Sequence, residues 1–258
     1  MHPLVGKVRA MRPHLFILTL CVLAHCVFVL PLAWADDVHL PIVFEDYPPY
    51  EYVEDGEVKG INLDIIREAF KRMGVSPYFE PRPWKRALFQ LKAGKILALS
   101  SGFKSEKRMR FAYFPEAPLG METNMVIVRS DSDLIVNSLD DLRSITLGVV
   151  REYVYGEPFD SMKGFQKKEG QSSQQLLRML LEERIDAAMG NKAVFRYLAE
   201  KQGKFDQIKF IHEVGSEPLY LMFSKEHGAK SKNLSRDFGV KVNEMIKDGT
   251  FAAIEAKY

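Results

Sequence analysis

Apolar strands and amphipathic helices alternate from Val38 to the end of the chain, and this alternation restricts the fold more than any other feature. Val38 to Phe44 reads as a strand. Ile61, Ile65, Ile66, Ala69, Phe70 and Met73 recur at helical spacing, and Gly74 follows as a C-terminal cap signal. Tyr78 to Arg82 is a short strand. Trp84 to Ala93 is a helix with Pro83 at its entry and Gly94 at its exit. Ile96 to Ser101 and Thr123 to Arg129 are further strands. This β-α-β-α-β run predicts a parallel sheet covered on both faces. A second cycle follows. Ser138 caps a short helix ending near Arg143, and Ile145 to Val150 is a strand. Ser172 with Gln175 forms a capping box for a helix carrying Leu176, Leu177, Leu180 and Leu181. Ile185 to Met189 is a strand, Asn191 to Lys201 a helix, and Ile208 to His212 and Leu219 to Phe223 are two strands. Helical periodicity from Leu234 to Ile246 and a short helix after Gly249 complete the pattern.

The two cycles share a phrase. Leu91 to Ala98 and Leu181 to Ala188 both read as a helix end, a tight turn and a buried strand. Any βαβ unit can produce such a phrase, and two α/β lobes of like design also would. No Pro-, Gly- or Ser-rich run separates the cycles. The linkers are therefore expected to be strands, near Met125 to Ser130 and Glu217 to Ser224. Two extended crossings make a hinge that bends without unfolding either core, with a cleft between the lobes where ligands collect.

The first residues read as an export leader. Lys7, Arg9, Arg12 and His14 precede an apolar run from Leu15 to Leu32, and Ala33-Trp34-Ala35 supplies the small residues of a cleavage site before Asp36. An uncleaved anchor is a second reading, weakened by His25 and Pro31. A lipoprotein at Cys26 is a third, opposed by His25 just before it. Both cysteines, Cys21 and Cys26, lie in this leader, so the remaining chain must be held by its core alone. Without Lys7, Arg9 and Arg12 the chain has 33 basic against 34 acidic residues, a net charge of −1. No basic field remains for nucleic acid. His39, His212 and His227 are widely spaced, with no metal-ligand pairing, no thiol nucleophile and no phosphate-binding loop. No cofactor or metal is expected, and no catalytic residue stands out.

Several short motifs carry a resemblance. They are Tyr47-Pro48-Pro49-Tyr50-Glu51, Gly60-Ile61-Asn62-Leu63-Asp64, Trp84 through Gly94-Lys95-Ile96, and Ser105-Glu106-Lys107-Arg108. Leu147-Gly148-Val149, Arg184-Ile185-Asp186-Ala187 and Lys247-Asp248-Gly249-Thr250-Phe251 continue the set. In this order and spacing they resemble the bacterial extracellular solute-binding proteins of family 3, the polar amino-acid type. The resemblance implies an α/β, two-lobed periplasmic-binding-protein-like (type II) fold with a two-strand hinge. Residues 1–35 would be the signal, 36–128 plus 222–258 the first lobe, and 129–221 the second. It further implies a periplasmic protein, expected to be monomeric, that captures a small polar solute for an inner-membrane ABC permease. A ligand sensor or orphan binding protein without a transporter is the alternative, and a dehydratase-like enzyme on the same fold is a third reading.

The resemblance places Arg108 on the solute's carboxylate, a role suited to a planar guanidinium fork. It places Tyr47 and Trp84 as aromatic walls. Ser100 and Ser101 end a strand at its carboxyl edge, where hydroxyls and amides meet ligands in open α/β sheets. Three positions depart from the family pattern. Leu97 stands where the family has an aspartate. Asn191 stands where an acidic residue would hold an α-ammonium. Glu152-Tyr153-Val154 replaces a Gly-Ser/Thr-Thr turn. Glu152, Tyr153 and Tyr155 are therefore expected to line an altered second-lobe wall, with Glu51 and Glu152 as partners for a cation.

Overall fold

The computed structural model describes residues 39–258. The leader, its Ala33-Trp34-Ala35 site, Cys21 and Cys26 lie outside the described residues. β1 (His39–Phe44) is followed by a small hairpin, β2 (Tyr52–Glu54) and β3 (Glu57–Lys59), and by helix α1 (Ile61–Arg72). β4 (Ser76–Pro81), α2 (Trp84–Lys92) and β5 (Ala98–Phe103) come next. β4 and β5 flank β1, both parallel to it. A single-turn helix α3 (Glu106–Met109) and a two-residue strand β6 (Ala112–Tyr113) lead into β7 (Gly120–Arg129).

The second cycle repeats the arrangement. β8 (Thr146–Val150) is flanked in parallel by β9 (Gln166–Gly170) and β10 (Ala187–Asn191). Helices α4 (Ser173–Leu181) and α5 (Lys192–Lys201) follow β9 and β10. The chain returns through β11 (Ile208–Ser224) and ends in α6 (Gly228–Lys247) and α7 (Thr250–Glu255). Sheet order is β4-β1-β5-β11-β7-β10-β8-β9, with β6 beside β11. The order β4-β1-β5 mirrors β9-β8-β10. The halves differ in one connection. In the first, a helix links the central strand to its outer neighbour. In the second, residues 151–165 do so without helix or strand.

The expected all-parallel sheet is a mixed one, because β7 and β11 pair antiparallel with each other and with their neighbours. The two strands expected over Ile208 to His212 and Leu219 to Phe223 are one strand of 17 residues. Its middle is polar, so the apolar pattern stops there while hydrogen bonding to β7 continues, with register shifts between Phe210 and His212 and between Glu213 and Gly215. Strand β9 is polar and exposed except for its last residue. It has no apolar period to betray it, as suits a charged edge strand.

Each half has its own core. Phe44, Leu63, Ile66, Phe70, Phe223 and Phe238 are buried together in the first. Val128, Leu147 and Met189 on one sheet face, and Leu176, Leu180 and Phe195 on the other, fill the second. Helices α1, α2, α4 and α5 close alike. The backbone N–H groups of Val75, Lys95, Arg184 and Lys204 each reach back five residues, to the carbonyls of Phe70, Gln90, Met179 and Ala199 at 2.8–3.0 Å. The shared phrase of the two cycles is this closure followed by a buried strand. Among the described residues, no helix is long and apolar enough to cross a membrane.

Candidate functional site

The Tyr47–Glu51 turn is built by its own backbone. Tyr47 N–H donates to the Glu51 carbonyl at 2.6 Å, and the N–H groups of Tyr50 and Glu51 return to the Tyr47 carbonyl at 3.0 and 3.1 Å. It also caps α1. Gly60 offers no side-chain cap, and the N–H groups of Ile61 and Asn62 donate instead to the carbonyls of Pro49 and Tyr50 at 3.2 and 2.9 Å. A Cβ on Gly60 would lie 2.3 Å from the Tyr50 carbonyl oxygen, so only glycine allows this approach. The turn thereby points Tyr47 and Glu51 inward, to 6% and 1% exposure.

Arg108 rides on α3, whose N-cap Ser105 accepts from the Arg108 N–H at 3.3 Å. Its guanidinium lies 5.0 Å from the Trp84 ring centroid. Nη1 donates to the Phe103 carbonyl and Nη2 to the Glu152 carbonyl, both at 3.1 Å. The side chain is buried, and among the described residues no carboxylate forms an ion pair with it. Burial pulls its pKa down to about 10.

Glu45, Tyr47, Glu51, Trp84, Ser101, Phe103, Arg108, Glu122, Tyr153, Val154 and Leu219 line a cavity of about 30 Å³, room for about one or two waters. Three carboxyl groups converge on it. Glu45 follows β1 and accepts from the Tyr153 hydroxyl. Glu51 accepts from Ser101 Oγ at 2.7 Å, which in turn accepts from Asn62 Nδ2 at 2.7 Å. Glu122, on β7, accepts from the Tyr47 hydroxyl at 2.8 Å. Desolvation pushes Glu45 and Glu51 up to about 8 and Glu122 to about 7, with their hydrogen bonds pulling partly back. Ser101 and Glu152 hold left-handed backbone at φ 58° and 66°, a strained state for either residue.

Six of the residues singled out from sequence meet here: Arg108, Tyr47, Trp84, Ser101, Glu51 and Tyr153. Ser100 stands behind Ser101, fully buried, its Oγ 3.3 Å from that of Ser101. Glu152 does not offer its carboxylate. That group is exposed and pairs with Lys107 at 3.5 Å, while its carbonyl accepts from Trp84 Nε1 and Arg108 Nη2, each at 3.1 Å. A left-handed turn at Glu152 sends the side chain out and the carbonyl in. Asn191 is off the cavity wall. It caps α5 by accepting from the Val194 N–H at 3.0 Å, and its Nδ2 donates to the Tyr50 hydroxyl at 3.3 Å. Tyr155 lies behind Tyr153 and accepts from the Val150 N–H at 2.7 Å. Leu97 is buried in the first core. Glu45 and Glu122 were missed. The signal for Glu45 was its place just past the apolar β1, at the strand's carboxyl edge. For Glu122 it was a lone carboxylate entering an apolar strand. Among the described residues, no cluster of potential metal ligands occurs.

Residues 42–258 match the family model of bacterial extracellular solute-binding proteins, family 3. The histidine-binding periplasmic protein of Escherichia coli is 27% identical over 221 residues, covering 82% of this chain and 84% of the relative. The arginine-binding periplasmic protein of Mannheimia haemolytica is 29% identical over 193 residues, covering 73% of this chain and 76% of the relative. Among solved structures, a histidine kinase sensor domain with similarity to periplasmic binding proteins aligns with a TM-score of 0.77 at 22% identity, covering 86% of this chain and 97% of that one. An ancestral arginine-binding protein bound to arginine aligns with a TM-score of 0.72 at 23% identity, covering 85% and 97%. These last two likenesses establish the two-lobed fold.

Proposed function

Because the chain belongs to the bacterial extracellular solute-binding proteins of family 3, we propose that it captures a small solute carrying both a carboxylate and a cationic nitrogen, an amino acid or close relative, between its lobes. The observation that carries this is the charge arrangement of the cavity. A buried guanidinium with no ion pair among the described residues faces three buried carboxyl groups, Glu45, Glu51 and Glu122. A buried charge is costly unless paired. A zwitterionic or cationic amino acid would pair both ends, its carboxylate on Arg108 and its nitrogen among the glutamates. Burial favours the protonated forms of Glu122 and Glu45, and a cationic nitrogen between them would draw out the negative charge that Asn191 lacks. Tyr47 and Trp84 give apolar area and ring faces for the rest of the solute.

In this reading residues 36–128 plus 222–258 form the first lobe, 129–221 the second, and the hinge runs through β7 and β11. The protein works in the periplasm after export by residues 1–35, as a monomer, and delivers solute to an ABC permease. The named relatives, which bind histidine and arginine in the periplasm, support this. The likeness to a histidine kinase sensor domain favours a second reading, in which a membrane sensor receives the closed form. No catalytic step is assigned to the site.

The test is a thermal-shift and calorimetric screen with L-histidine, L-arginine, L-cystine, putrescine and succinate. A rise in melting temperature with an amino acid, absent with succinate, is the expected result. No shift with any of them overturns the reading.

A further inference from the structure

The contacts that a solute would make in this cavity are already made, and by the chain itself. The Glu152 carbonyl takes hydrogen bonds from both Arg108 Nη2 and Trp84 Nε1. The next residue, Tyr153, puts its ring between the two aromatic walls, edge-on to Tyr47 at 6.1 Å and 79° and to Trp84 at 5.7 Å and 81°. Its hydroxyl donates to Glu45. The donors and walls belong to the first half of the molecule. Glu152 and Tyr153 belong to the second, in the 151–165 connection that replaces a helix with irregular backbone. The space left over, about 30 Å³, holds no amino acid. A solute can enter only if Tyr153 leaves.

We propose that Glu152-Tyr153 is an internal pseudo-ligand, which holds the empty protein closed and is displaced by a solute of matching form: a carboxylate for the Glu152 carbonyl, a planar group for the ring, and a donor at its tip for Glu45. Amino acids with flat, donor-tipped side chains fit this pattern; glutamate, with an acceptor at its tip, does not. The left-handed backbone at Glu152 is what sets the carbonyl and the following ring into the cavity together. The proposal rests on the solute-binding reading above. Its cost to affinity follows from population. If the unplugged form is only a fraction of the empty protein, apparent affinity falls by that fraction.

The experiment uses the protein carrying Trp34→Phe, so that Trp84 is the single tryptophan, with and without Tyr153→Ala or Tyr153→Phe. In the absence of solute, acrylamide should quench Trp84 weakly in the parent and more strongly in Tyr153→Ala. Titration with L-arginine, L-histidine and L-tyrosine should show Tyr153→Ala binding about tenfold tighter than the parent for at least one of them, with no gain for L-glutamate. Tyr153→Phe keeps the ring and loses the donor, and should move the same way by less. Weaker binding by both variants makes Tyr153 an ordinary wall of the site and overturns the proposal. If no form binds any of these solutes, the solute reading fails and the pseudo-ligand falls with it. Equal quenching in parent and Tyr153→Ala, with solute binding intact, overturns the pseudo-ligand alone.

Discussion

Glu45 and Glu51 keep their protons to about pH 8 and Glu122 to about 7, well above the ordinary value of 4.5, because burial penalises the charged form before hydrogen bonds recover part of it. The folded protein therefore binds more protons than the unfolded chain between about pH 4.5 and 8. Stability from these groups is full below that window and is lost as pH rises through it, each group contributing a slope of at most about 1.4 kcal/mol per pH unit. The urea midpoint should fall from pH 5 to pH 8.5, and Glu45→Gln should flatten the decline; a midpoint that rises over this range contradicts it. A cationic solute favours the ionised carboxylates, so its affinity should rise over the same interval while protons are released. Arg108→Ala should weaken a carboxylate-bearing solute by about 3 kcal/mol, more than a hundredfold, read by calorimetry, with Arg108→Lys recovering only part because an ammonium cannot form the fork. The resemblance made Arg108, Tyr47 and Trp84 visible in the sequence; by residue type alone Arg108 is one cation among several from Lys104 to Arg110. Glu152 acts through its carbonyl, which no side-chain reasoning can see. Glu45 and Glu122 are, in sequence, two among 34 acidic residues; only the fold removes them from water.

The Tyr47–Glu51 turn and α1 are one element in energetic terms, joined where the Pro49 and Tyr50 carbonyls receive the first N–H groups of the helix. Gly60→Ala should test this. The added Cβ meets the Tyr50 carbonyl carbon and oxygen at 2.5 and 2.3 Å, and φ of 131° is itself unfavourable for alanine. The expected loss is about 2–4 kcal/mol in urea unfolding, with solute binding weakened because Tyr47 and Glu51 shift with the turn. An alanine variant of unchanged stability would show that the cap is dispensable. Elements with strong period were legible before the structure: α1, α2, α4 and α5, each closed by a tight turn, and the buried strands β1, β8 and β10. Elements held mainly by backbone pairing were not. β9 is nearly all polar, the middle of β11 loses its apolar pattern, and the β2–β3 hairpin announces itself only through Asp55-Gly56, both at positive φ as a two-residue turn of this kind requires. Side-chain patterning reports burial, and these segments are set by hydrogen bonds at an edge or a crossing.

Two parallel half-sheets, each with its own core, are tied by β7 and β11, whose antiparallel pairing runs from Ile208 opposite Arg129 to Leu219 opposite Gly120. Neither half can lose its sheet without unzipping a strand that the other also uses. The molecule should therefore unfold in one cooperative transition, with far-ultraviolet circular dichroism and Trp84 fluorescence moving together. Opening of the proposed cleft should be a separate, cheaper event that breaks the Glu152 and Tyr153 contacts and leaves both cores intact. A solute that binds only the folded protein adds RT ln(1 + [L]/Kd), about 2.7 kcal/mol at a hundred times Kd. For a chain of this size that is a rise of roughly 5–10 °C in melting temperature. The shift should move the whole transition rather than one part of it, because the halves share β7 and β11 and the proposed site draws Glu122 from β7. Two resolved transitions, with only one shifted by L-arginine or L-histidine, would place the site within a single half and break the link between binding and the crossing strands.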